Sequence, residues 1–146
     1  MQVAFYKGRN RLFNRLVSWY LRGPYSHTEL ILAIDLQGVA TCASASFLDG
    51  GVRVKTMRLD PDHWDILPVS GERVKAWSWL ADHERQGYDV LGLLGFFWRR
   101  QIGSQSRWFC SEAIAAMLGW PDPWRLDPMA LWVATASQKL NASADK

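Results

Sequence analysis

The chain has little cysteine, no acidic residue near one end and no long apolar run, and each shortage bears on what it can be. Two cysteines among 146 residues cannot build the framework of a small secreted domain, so Cys42 and Cys110 are expected as free thiols. Neither they nor His27, His63 and His83 fall at the close CxxC or HxxxH spacing of a zinc site, so no metal is expected. No GxxxxGK[ST] or GxGxxG loop is present to cradle a phosphate, and no cofactor is expected. The longest strongly apolar run, LGLLGFFW at residues 91–98, is far shorter than the roughly 20 residues that cross a bilayer. Lys7, Arg9, Arg11 and Arg15 interrupt what would be the apolar stretch of a signal peptide. These absences together predict a cytoplasmic protein.

Acidic residues are missing from one end. Residues 1–28 hold five basic side chains (Lys7, Arg9, Arg11, Arg15 and Arg22) and no Asp or Glu, within a net charge of +3. Such a patch suits an anionic membrane surface, a nucleic acid or an acidic substrate. It equally suits a solvated helix face. No nucleic-acid motif accompanies it, so no specific nucleic-acid partner is expected. What is present is ordinary for a globular protein: 49% hydrophobic and 21% charged residues. The length fits one domain over residues 1–140, with a frayed tail at 141–146. Nine tryptophans stand out, too scattered to form a repeat.

The patterning predicts an α+β chain. QVAFY at residues 2–6 reads as a buried strand. From Asn10 to Arg22 the period is helical, with Leu12, Phe13, Leu16, Val17 and Tyr20 on one face. HTELILAI at 27–34, VATCASASF at 39–47 and VRVKTM at 52–57 read as strands, and Asp49-Gly50-Gly51 as a hairpin turn. Residues 64–69 are expected to add a further strand to this antiparallel meander. Helices are expected at 72–86 with Gly87 as its C-terminal cap, at 88–98, at 108–118 capped by Gly119, and at 128–138.

Three residues carry candidate chemistry. Cys110 falls in the first turn of a predicted helix, where the dipole and unpartnered N–H groups favour a thiolate nucleophile. The same N–H groups can form part of an oxyanion hole. His27 opens a strand, where it can meet a helix end and act as general base. Glu29 shares a strand face with His27. It is placed either to orient the imidazole or to pair with a nearby arginine such as Arg11 or Arg15. His63, in the turn PDHW, and His83, expected on the exposed side of a helix, are weaker candidates.

The order of these features resembles the circularly permuted papain-like (NlpC-type) cysteine hydrolases, related in architecture to the lecithin:retinol acyltransferase group. The matching residues are YSH at Tyr25–His27 before an apolar strand and FCSE at Phe109–Glu112 opening a helix. Small proteins of this type encoded by phages and prophages are also similar. The resemblance implies an antiparallel meander packed on helices, with Cys110 as nucleophile and His27 as general base. It implies a thiol hydrolase or acyltransferase acting on a peptide, a peptidoglycan fragment or a lipid acyl group. The family usually places a third polar residue on the strand after the histidine strand. Here that strand offers only Thr41, Ser44 and Ser46, so Glu29 and Ser44 both stand as the orienting residue. A non-catalytic binding module of the same fold is the alternative expectation. A third is docking on a membrane surface through the basic helix at 10–22.

Overall fold

The computed structural model describes residues 1–8, 15, 19, 23–88 and 107–144. Its strands are β1 (Gln2–Tyr6), β2 (His27–Ile34), β3 (Ala40–Ser46), β4 (Gly51–Met57), β5 (Trp64–Pro68), β6 (Gly87–Tyr88) and β7 (Arg107–Trp108). Its helices are α1 (Arg73–His83), α2 (Cys110–Met117) and α3 (Pro128–Ala144). The strands form one sheet in the order β5-β1-β2-β3-β4-β6-β7. All neighbours are antiparallel except β6 and β7. The class is α+β.

The predicted helix at 10–22 lies outside the described residues, apart from Arg15 and Trp19, which are helical and exposed. The helix expected at 88–98 also lies outside them, except for Tyr88, which belongs to β6. α3 continues to Ala144, through part of the segment expected to fray.

The meander is real for β2, β3 and β4, but β5 does not extend it. Instead β5 returns to the far side of the sheet and pairs with β1. Two facts account for this. The free edge of β4 is taken by β6, through Gly51 and Gly87. The register of β5 on β1 also sets Leu67 opposite Val3, and Val69 N–H donates to the Met1 carbonyl. Gly87 is likewise not a helix cap. It sits in β6, and the left-handed residue after α1 is Arg85 at φ 70°.

The main core lies on one face of the sheet. Val3, Phe5, Leu30, Leu32, Ala43, Ala45 and Val52 meet Ala113, Ile114 and Met117 of α2, with Ala76, Leu80 and Leu131 from the other helices. Burying each large side chain here stabilises by about 1.5–3 kcal/mol. The opposite face carries a small cluster of Ala4, Ile31, Ala40 and Cys42 beside Trp64. α2 presses on β2 and β3, which brings its first residue, Cys110, to the strand that begins at His27.

Candidate active site

Alternation along β2 puts His27 and Glu29 on the same face. Their side chains close the gap between them: His27 Nε2 and Glu29 Oε1 are 2.8 Å apart. Glu29 is only 1% exposed, and a carboxylate so buried must be paired and hydrogen-bonded to stay ionised. Its second partner is Arg53 of β4, which sends Nη1 to Oε2 at 2.7 Å and Nη2 to Oε1 at 2.5 Å. Arg53 then gives Nε to Asp49 Oδ2 at 2.9 Å, in the turn between β3 and β4. Burial would raise the Glu29 pKa, but the hydrogen bonds from Arg53 and His27, and their charges, hold it below the ordinary glutamate value.

Glu29 and Arg53 meet across β3, because β2 and β4 flank it. The gap between those two strands is roughly 9.5 Å. Such a bridge needs a small side chain beneath it, and β3 supplies one in Ser44, the register partner of Arg53.

Cys110 is the first residue of α2, with Phe109 as N-cap. Ala113 N–H makes the first intrahelical bond, to the Phe109 carbonyl, so the backbone N–H groups of Cys110 and Ser111 precede that ladder. Glu112 closes the first turn by accepting from Phe109 N–H at 3.4 Å. Ser111 Oγ donates to the Leu126 carbonyl, fixing the helix start to the segment before α3. Cys110 opens the helix that packs on the strand begun by His27, and its side chain acts electrostatically on the His27 ring. Burial alone would push the imidazolium pKa down. Hydrogen bonding and charge from Cys110 and Glu29 together outweigh burial and raise it to about 10.

The structure thus joins His27 to Glu29, sets the helix that Cys110 opens against their strand, and gives Ser44 a separate partner. Ser44 Oγ donates to the Thr28 carbonyl at 2.7 Å, a backbone tie within the sheet. Glu29 answers to both of its expectations, since it holds the imidazole and pairs with an arginine. That arginine is Arg53, whereas Arg15 is exposed and Arg11 lies outside the described residues. No sequence motif marks Arg53. Its signal in the sequence is its phase: it alternates with the apolar Val52 and Val54, on a strand that the sheet places two away from that of Glu29.

The remaining candidates serve elsewhere. Tyr25 of the YSH motif donates to Asp65 Oδ2 at 2.7 Å, and Lys7 Nζ reaches Asp65 Oδ1 at 2.7 Å. This anchors the start of β2 to β5. His63 pairs with Asp60 in its turn. His83 is not on an exposed helix face. Its ring stacks on Trp79 at 4.1 Å and meets Trp108 edge-on at 5.3 Å. Trp79, Trp108, Trp120 and Trp132 pack against the core, so these tryptophans act as core residues. Trp64 stands edge-on to His27 with ring centroids 6.3 Å apart. Burial, together with the Glu29 charge, pushes the Cys42 thiol up to about 12, with Arg53 opposing. Among the described residues, no three His, Cys, Asp or Glu side chains group as a metal site. Among the same residues, no helix is long and apolar enough to cross a membrane.

No family model matches the chain, and no solved structure matches it. The chain is similar to an aminomethyltransferase of Herpetosiphon aurantiacus, 30% identical over 86 residues that cover 53% of this chain. The chain spans 24% of that relative's length, so the likeness concerns a part of that protein.

Proposed function

We propose that this chain is a thiol hydrolase or acyltransferase of permuted papain-like fold, using Cys110 and His27 on an amide or ester. One observation carries the reading: an imidazole held by a buried carboxylate stands on the strand against which a cysteine-opened helix packs. Nε2 is committed to Glu29, which leaves Nδ1 to exchange a proton with sulfur. Cys110 Sγ attacks the carbonyl carbon, and the N–H groups of Cys110 and Ser111 receive the developing oxyanion. The C–N or C–O bond then breaks as His27 gives its proton to the leaving group. Water or an acceptor amine attacks the thioester, its proton passes to His27, and sulfur leaves as thiolate. Substrates in keeping with the resemblance are a peptide, a peptidoglycan fragment or a lipid acyl group.

A second reading, a binding module that keeps the fold without turnover, is favoured by the burial of Cys110, which is 1% exposed. The test is incubation with p-nitrophenyl acyl esters, followed by intact-mass measurement. A covalent acyl adduct on Cys110 that turns over, and that Cys110→Ala abolishes, supports the enzyme. Absence of any adduct over a range of acyl lengths supports the binding module.

A further inference from the structure

We propose that Arg53 is a positioning residue that keeps Glu29 ionised and aimed at His27, and so sets the lower pH limit of the site. The proposal rests on the reading of Cys110 and His27 as a reacting pair. It stands on geometry that a surface ion pair does not have. The guanidinium fork takes both Glu29 oxygens, and Oε1 is shared with His27 Nε2. The plane of the carboxylate is therefore fixed by the plane of the guanidinium, and its orientation toward the imidazole follows. Arg53 is itself held, because its remaining Nε bonds Asp49, which Lys55 Nζ also reaches at 3.3 Å. A support line runs from the β3–β4 turn through Asp49, Arg53 and Glu29 to His27, on the strand against which the helix of Cys110 packs.

The charge argument points the same way. Glu29 is faced by His27 on its own strand, by Cys42 from β3, by Arg53 from β4 and, beyond His27, by Cys110 of α2. Of these groups only Arg53 is a cation that cannot give up its proton at working pH. Removing it raises the proton affinity of its neighbours. Glu29 then takes a proton at a higher pH, and a neutral Glu29 no longer supports a charged imidazole. A lysine can restore the charge but not the fork.

The test follows the His27 ring by NMR through an acid titration of the full chain. The inflection caused by protonation of Glu29 is assigned by its loss in Glu29→Gln. In Arg53→Met it should move up by about one to three pH units, and in Arg53→Lys by less. Iodoacetamide labelling of buried Cys42 reports whether the fold stays closed. Inflections that coincide with wild type in both variants overturn the proposal. So does rapid Cys42 labelling in both, which makes Arg53 a support of the fold alone. A moved inflection with an inert Cys110 keeps the role of Arg53 and ends the hydrolase reading. An unmoved inflection with an active Cys110 does the reverse.

Discussion

His27 and Glu29 lie two residues apart on one strand, and their Nε2 and Oε1 atoms share a 2.8 Å hydrogen bond. That bond gives a direct test of Glu29. In Glu29→Gln the amide keeps the shape but loses the charge that favours imidazolium. Cys110 alkylation at pH 7 should fall roughly tenfold, the effect of a one-unit shift in the pair, with the circular dichroism spectrum unchanged. Superimposed pH profiles for the two proteins would remove Glu29 from the site.

The thiol and the carboxylate both raise the His27 pKa, so each should be separable. Cys110→Ala should lower it from about 10. NMR titration of the ring measures this, and an unchanged midpoint would contradict the pairing. Stability follows with a definite sign. The folded chain holds a proton that the unfolded chain releases between pH 6.5 and about 10. The contribution of His27 is therefore full below pH 6.5 and is lost as pH rises toward 10. Urea midpoints should decline across that window, and His27→Gln should flatten the decline.

The two cysteines should separate cleanly under labelling. Cys42 is buried mid-strand with its thiol pushed up to about 12, whereas Cys110 has an imidazole beside it. At pH 7 Cys110 should react with iodoacetamide at least about tenfold faster, read by peptide mass spectrometry. Equal rates, or Cys42 first, would argue against Cys110 as the nucleophile.

Ser44 gives the contrasting case. Its hydroxyl is spent on the Thr28 carbonyl, so Ser44→Ala should cost about 1 kcal/mol of stability. The alkylation profile of Cys110 should stay where it is. A shifted profile would restore Ser44 as an orienting residue.

Among the described residues, Gly51 should be the least replaceable glycine. Its φ is 145°, and an added Cβ would lie 1.9 Å from the Gln86 carbonyl oxygen. Gly51→Ala should therefore destabilise by at least about 2 kcal/mol, seen as a lower thermal midpoint. Wild-type stability in that variant would mean that β4 and β6 do not pair as described.

The parts of the site that were legible in the sequence are those set by local spacing. His27 and Glu29 share a face because strands alternate, and Cys110 opens a helix because FCSE starts an apolar helical period. What was illegible depends on which strands become neighbours. Arg53 reaches Glu29 only because β3 separates their strands and is narrow. β5 joins β1 because β6 occupies the edge of β4. His83 looked solvent-facing from the helix period, yet it stacks on Trp79 and meets Trp108, a residue that its own helix does not contain.

Strand β3 contributes no side chain to the hydrogen bonds among His27, Glu29 and Arg53, yet small residues fill it on both faces. Its residues are Ala, Thr, Cys, Ala, Ser, Ala and Ser. Ala43 and Ala45 lie beneath α2, while Ser44 lies under the Glu29–Arg53 bridge. A larger side chain on one face would lift the helix that carries the thiol, and on the other it would part the carboxylate from the guanidinium. Saturation mutagenesis should therefore find its deepest intolerance along this plain strand, with loss of function preceding loss of fold.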